Sequence, residues 1–407
     1  MSTRPATCLL AATLALVTAT AAGAEVVVRL ATFNVSMYRD REGVLVADLA
    51  DSHNEQARLA AAILQELRPD IVLLNEFDWD AGGEALRRFH DRFLAVGQAG
   101  REPLLYPYRY VAESNTGVPS GFDLDHDGRS DHPVGSREYG NDAFGYGVHP
   151  GQYAMAVLSR YPILRDRIRT FRLLRWSDMP GALIPRDWYG EAASQALRLS
   201  SKNHIDVPID VRGRVMHLLG SHPTPPSFDG PEDRNGRRNH DEIRFWSLYL
   251  DASPDARWPV DDQGRPGGLP PGSAFVIAGD LNSDPQDGSS RSEAIRALLA
   301  HPRVQDSPAP RSVGGTEQSR LQGGLNPVHR GDPAEDTADL QDDDLGNLRL
   351  DYVLPSAGLT PVASGVFWPA QDDPSFGLVG TYPFPVSDHR LVWVDVRFEA
   401  PTKEGSP

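Results

Sequence analysis

Apolar and polar positions alternate along this chain with two different periods. Val26–Val35 is apolar and rich in β-branched residues, and reads as a strand. Asn54–Leu67 carries Leu59, Ile63 and Leu67 at helical spacing and stops before Arg68-Pro69, so it reads as a helix. Ile71–Glu76 is an apolar run closed by Asn75-Glu76, the pattern of a buried strand. Gly83–Val96 reads as a second helix and Tyr153–Leu158 as a further strand. Ile205–Val211 and Val215–Gly220 flank Arg212-Gly213-Arg214 and read as a hairpin. Asp241–Leu250 and Ser292–Leu299 follow as helices, and Phe275–Ala278, Leu350–Leu354 and Leu391–Phe398 as strands. Hairpins together with strand–helix–strand units predict an α/β protein with mixed sheets.

Four long polar stretches rich in Gly and Pro interrupt this pattern, at 112–150, 223–240, 253–273 and 302–347. Loops of that length in a compact domain carry function or mobility. None separates two cores, because apolar strands recur up to Phe398, so residues 25–399 read as one domain with a frayed tail at 400–407. Residues 1–24 read as a cleavable secretory leader, with Arg4 ahead of the apolar stretch Leu9–Val17 and the small-residue site Ala22-Gly23-Ala24. That stretch is too short for a membrane span, and no later run reaches 18 apolar residues. The expected product is therefore secreted or periplasmic, without a transmembrane anchor.

Cleavage removes Cys8, the one Cys among 407 residues, which excludes disulfides and any Cys-based zinc or iron–sulfur site. The chain carries 56 acidic against 40 basic side chains, a formal charge of −16, and loses one more positive charge with Arg4. An acidic surface of that strength disfavours wrapping of nucleic acid. Charge also favours a soluble monomer. A hydrophobic fraction of 40% with 24% charged residues is globular composition rather than a disordered tail.

The informative positions are the polar residues at strand ends. Asn34 closes the first strand and Asn75-Glu76 the second. His222 follows the hairpin, and Asp280 and Asn282 follow Phe275–Ala278. Asp351 opens one closing strand, and Ser387-Asp388-His389 precedes the other. Polar groups at the ends of strands that share a core converge on one rim, where an α/β scaffold builds its site.

Phe33-Asn34, Asn75-Glu76, Gly279-Asp280-Leu281-Asn282, Arg349-Leu350-Asp351-Tyr352 and Ser387-Asp388-His389 stand in an order that resembles the endonuclease/exonuclease/phosphatase superfamily, the DNase-I-like group. Tyr153–Pro162, ending in Ser-Arg-Tyr-Pro, is similar to that family's central strand. The resemblance runs from Leu30 to Val396. It implies a four-layer α/β/β/α sandwich of two mixed sheets flanked by helices, and metal-dependent hydrolysis of phosphate mono- or diesters. Such chemistry needs a hard cation, a positioned water and donors to the phosphate oxygens. By the resemblance, Glu76 is the main ligand of Mg²⁺ or Mn²⁺, with Asn34 and Asp388 beside it. Asp280 orients or deprotonates the water, Asn282 binds the phosphate, and His389 donates to a phosphate oxygen while Asp351 orients it. His222 acts as acid or phosphate ligand, and Gln152 occupies the place of a carboxylate or amide partner before the central strand.

Two further groups stand outside those motifs. Asp123, Asp125 and Asp127, alternating and followed by Gly128, resemble the first half of a calcium loop, with Asp131 as an added ligand. The closing Glu of an EF-hand is missing, since Val134 holds its place. Arg237 and Arg238 lie in an Arg-rich segment that could hold a second phosphate of a substrate. A phosphorylated small molecule fits the charge best. A secreted nuclease, a sphingomyelinase-like phosphodiesterase and a catalytically silent binding protein stay open, the lipid reading resting on Trp176, Trp188 and Tyr189 in the loop 174–190.

Overall fold

The computed structural model describes residues 26–306 and 308–398, so the expected leader and tail lie outside the described residues. Thirteen strands run through them: β1 (Val26–Met37), β2 (Ile71–Phe77), β3 (Tyr108–Ala112), β4 (Met155–Ser159), β5 (Arg169–Thr170), β6 (His204–Val211), β7 (Arg214–Ser221), β8 (Ala274–Asp280), β9 (Ala338–Asp339), β10 (Asn347–Leu348), β11 (Asp351–Pro355), β12 (Thr360–Val366) and β13 (Val392–Phe398). One sheet has the order β12-β13-β1-β2-β4-β3, a second the order β11-β8-β7-β6-β5, and β9 and β10 form a separate pair. Only β1–β2 and β7–β8 are parallel, so both large sheets are mixed.

Strand alternation sorts side chains into layers. In β1, Val28 and Leu30 face Leu218, Val276 and Val353 of the other sheet, in a core between the two. Ala31 and Phe33 point the opposite way, onto Ile63 and Leu64 of the helix Glu55–Leu67. On the far side, Leu219, Phe275 and Ile277 pack under the helices Arg234–Asp251 and Glu293–Leu299. The result is the expected helix–sheet–sheet–helix sandwich. Each fully buried Leu, Ile or Val contributes about 1.5–3 kcal/mol, so the central layer is what holds the two sheets at a fixed offset.

Several elements depart from the apolar pattern. The helix expected over Asp241–Leu250 starts seven residues earlier, at Arg234. Its first two turns hide polar side chains: Arg238 and Asn239 are buried, and both bond to backbone carbonyls. A face satisfied by hydrogen bonds shows no apolar stripe. The helix expected over Gly83–Val96 begins at Glu84 and widens after Phe89, where the Ala95 amide bonds back five residues to the His90 carbonyl. The stretch 302–347 contains the helix Val313–Gln322 and the β9–β10 pair.

The aromatic loop turns inward. Trp176 is buried and donates to Asp241, and Trp188 donates to the Leu124 carbonyl and stacks on His126. No exposed aromatic hairpin of the kind a lipid surface would need forms from Trp176, Trp188 and Tyr189. Among the described residues, no helix is long and apolar enough to cross a membrane.

Candidate active site

Strand direction brings the polar strand ends together. β1 and β2 are parallel, with Asn34 level with Asn75, so Asn34 and Glu76 finish side by side. β7 and β8 are parallel, which places His222 and Asp280 at one end of the second sheet. β11 returns antiparallel with Asp351 opposite Asp280. β13 runs antiparallel to β1, so the turn before it delivers His389 to the same rim.

Asp280 sits at the centre and is 1% exposed. Its Oδ2 accepts from Asn34 Nδ2 at 3.0 Å and lies 3.4 Å from His222 Nε2 and 3.6 Å from His389 Nε2. Its Oδ1 accepts from the Asn282 amide at 3.0 Å. His389 Nδ1 meets Asp351 Oδ2 at 2.7 Å, and that same oxygen accepts from Thr337 Oγ1 at 2.9 Å. His222 Nε2 stands 3.9 Å from Glu76 Oε1. Asp388 borders the group, close enough to act on the charge of Glu76. The structure thus gathers Asn34, Glu76, His222, Asp280, Asn282, Asp351, Asp388 and His389 at one place.

The two histidines shift in opposite directions. Burial pushes His222 down to about 4, with Lys202 adding to the effect, so it is neutral. Burial also opposes charge on His389, but Asp351 and Asp280 outweigh it and hold it cationic. Burial would raise the Asp280 carboxyl, yet His389 and His222 keep it well below the usual carboxylate range. Glu76 is pushed up to about 7, first by burial and then by Asp280 and Asp388. Asp351 is pushed up to about 6 by burial against the pull of His389. Split carboxyl affinities of this kind separate proton acceptors from proton holders.

The backbone is bent to reach these positions. Glu76, Tyr153 and Asn282 have φ of 55°, 57° and 51°, in the left-handed region that non-glycine residues rarely occupy. Gly279, just before Asp280, has φ 150°, and a Cβ there would meet the Ser221 carbonyl oxygen at 2.0 Å. Only glycine lets β8 approach β7 closely enough to set Asp280 beside His222. Gly279→Ala is expected to cost on the order of 3 kcal/mol, read as a fall in Tm, and to lower activity in the protein that still folds. An unchanged Tm with full activity would show that the two strands can move apart freely.

Other sequence candidates have different partners. Gln152 is buried but accepts from the Val148 amide and donates to the Arg39 carbonyl. Arg238 is buried and donates to the carbonyls of Leu199, Phe144 and Arg198, and Arg237 donates to the Glu232 carbonyl. The Arg238 guanidinium holds loops together and offers no fork to a second phosphate, whereas the half-buried Arg237 is held, among the described residues, through its Nε alone. Asn34 presents its amide nitrogen to Asp280, so as placed it steadies carboxylates. Asn282 Nδ2 donates to the Pro223 carbonyl.

Three contributors escaped the sequence. Lys202, one of two lysines in the chain, is buried with Nζ 3.4 Å from the Pro223 carbonyl, and it is close enough to Glu76 and Asp280 to feel their charge. Thr337 braces Asp351 from a loop. Glu242, on the helix Arg234–Asp251, accepts from Ser201 and Thr224 amides and so pins both segments flanking His222 and Lys202. Only the rarity of lysine could have pointed to the first, and nothing local marks the other two.

The model of the Endonuclease/Exonuclease/phosphatase family matches residues 31–389. No curated protein matches the chain. Among solved structures, the chain is similar to an endonuclease/exonuclease/phosphatase from Beutenbergia cavernae, at 18% identity over 91% of this chain and 72% of that one, with a TM-score of 0.49. It is similar to sphingomyelinase C from Streptomyces griseocarneus, at 17% identity over 91% of this chain and 99% of that one, with a TM-score of 0.44. It is also similar to truncated TDP2 from Caenorhabditis elegans, at 12% identity over 91% and 98%, with a TM-score of 0.42. With a match that starts in β1 and ends on His389, the chain belongs to the endonuclease/exonuclease/phosphatase family and is a hydrolase of phosphoester bonds.

Proposed function

We propose that this enzyme is an exported, metal-dependent phosphoesterase that acts as a monomer on soluble organic phosphates by attack of a positioned water. The observation that carries this reading is Asp280: a carboxylate 1% exposed whose Oδ2 lies 3.4 Å from His222 Nε2 and 3.6 Å from His389 Nε2, neighbours that hold it below the usual carboxylate range. Such a group accepts a proton from water without being neutralised beforehand.

The donors suit a hard divalent cation. Glu76, Asp280 and Asp388 crowd negative charge at one edge of the site, and the oxygens they offer match Mg²⁺ or Mn²⁺. Glu76 and Asp388 would hold the ion. When bound, it would neutralise charge on the phosphate and lower the pKa of its water. The side chains do the rest. His389, held by Asp351, donates to a phosphate oxygen. Neutral His222 takes or gives a proton at Nε2 beside Asp280. Asn282, fixed by Asp280 and the Pro223 carbonyl, supports the phosphate from the side. The acidic chain and the inward-turned aromatic loop favour a small soluble ester over nucleic acid or lipid.

Hydrolysis should be tested on nucleotides, inositol phosphates, nucleic acid and sphingomyelin. Chelation is expected to abolish turnover of the preferred substrate, and added Mg²⁺ or Mn²⁺ to restore it. Turnover indifferent to chelation rejects the metal-dependent mechanism. Preference for nucleic acid or sphingomyelin rejects the soluble-ester reading. No hydrolysis of any of them makes the chain a binding protein on this fold. Retention of residues 1–24 in protein recovered from the native cell would reject export.

A further inference from the structure

The stretch 112–150 carries a second cluster of carboxylates away from the catalytic rim. Asp123, Asp125 and Asp142 each offer an oxygen within 4.8 Å of the others. Asp142 lies 15 residues beyond Asp127, the last of the alternating Asp residues. It is 4% exposed, its Oδ1 accepts from the Leu124 amide at 2.6 Å, and its Oδ2 is buried without a hydrogen-bond partner among the described residues. His132 Nε2 stands 4.0 Å from that oxygen and 2.9 Å from Asp127 Oδ2. No Arg or Lys pairs with Asp123, Asp125 or Asp142 among the described residues. The nearby Arg129 is bound to Asp131, and both side chains are exposed.

A buried carboxylate oxygen with no donor costs free energy unless something positive meets it. Two neighbouring carboxylates make the deficit worse. We propose that Asp123, Asp125 and Asp142 hold a structural Ca²⁺, with Asp127 bordering the site. Oxygen ligands alone, supplied by an irregular loop closed at Gly128 (φ 95°), are what Ca²⁺ accepts and what Zn²⁺ or Cu²⁺ does not prefer. Waters complete the six to eight ligands that this ion takes. The ion fastens the stretch to its neighbour. Leu124, whose amide meets Asp142, accepts from Trp188 Nε1 at 3.0 Å and packs on Ala193 of the helix Arg186–Ala196 and on Leu197 just beyond its end. This second site does not depend on the catalytic assignment.

Trp188 stacks on His126 within the loop, so it can sensitise Tb³⁺ bound there. In the full chain with saturating Mg²⁺, Tb³⁺ emission excited through Trp is expected to rise to one site per chain and to be displaced by Ca²⁺. Ca²⁺ is also expected to raise Tm. Asp142→Asn, which keeps the acceptor for Leu124, should weaken both effects at least about tenfold in metal concentration, whereas Glu76→Gln should leave them unchanged. No Tb³⁺ signal and no Tm response to Ca²⁺ would overturn the proposal. So would full retention in Asp142→Asn, or loss in Glu76→Gln, which would assign the ion to the catalytic rim. If Asp142→Asn does not fold, Asp125→Asn decides on the same readouts.

Discussion

Asp280→Asn is expected to lower turnover at least about a hundredfold and to shift Tm by only a few degrees. The amide has the same shape and can still accept from the Asn282 backbone. Its nitrogen, however, would face Asn34 Nδ2 and the two histidine Nε2 atoms, all of which the native oxygen faces. Both the proposed proton acceptor and one of the carboxylates, with Asp351 and Asp388, that raise His389 disappear. The His389 ring should therefore titrate at lower pH in the variant, a change visible by NMR and not expected from a purely structural role. A rate within tenfold of the parent at saturating substrate and metal would remove Asp280 from the chemistry.

Glu76→Gln should separate stability from activity. The Glu76 carboxyl titrates near 7 in the fold against an ordinary value near 4.5. A raised carboxyl affinity means that the folded state binds the proton more tightly than the unfolded chain. Without metal, ionised Glu76 therefore weakens the fold above pH 7, less so between 7 and 4.5, and not at all below. At pH 8, in chelator, the Gln variant is expected to be more stable by up to about 3 kcal/mol, with the gain gone by pH 4. Its activity should fall at least about a hundredfold. In saturating Mg²⁺ the order should reverse, because binding stabilises only the parent. Equal Tm values across that pH range would mean that Glu76 is solvated and carries no strain for metal to relieve.

Much of this site was legible because strand ends are legible. An apolar run closed by Asn75-Glu76, or one followed by Gly279-Asp280, names both the strand and the residue that emerges from its end. Parallel and antiparallel pairing then carries such residues to one rim. The acidic loop was half legible: the alternating Asp residues are local, but the buried oxygen that joins Asp123 and Asp125 belongs to Asp142, and only the chain's path through 129–141 brings it back. Arg238 shows the opposite failure. An arginine beside other arginines looks like an anion site, yet its guanidinium bonds three carbonyls inside the protein. The helix from Arg234 was hidden for the same reason, since buried polar contacts leave no periodic apolar signal. Thr337 braces Asp351 from a segment whose sequence resembles any solvated loop.

The strand order has a consequence in time. β13, the last strand, inserts between β12 and the first strand β1. Asp351, Asp388 and His389 all lie in the final sixty residues of the chain, whereas Asn34 and Glu76 lie near its beginning. β1 and β13, more than 350 residues apart, must pair before the proposed site is complete, and folding that depends on contacts so distant in sequence is slow. A chain cut before β13 keeps Asp388 and His389 but loses the strand that pairs with β1 just after them, and is expected to lose hydrolysis of phosphate esters.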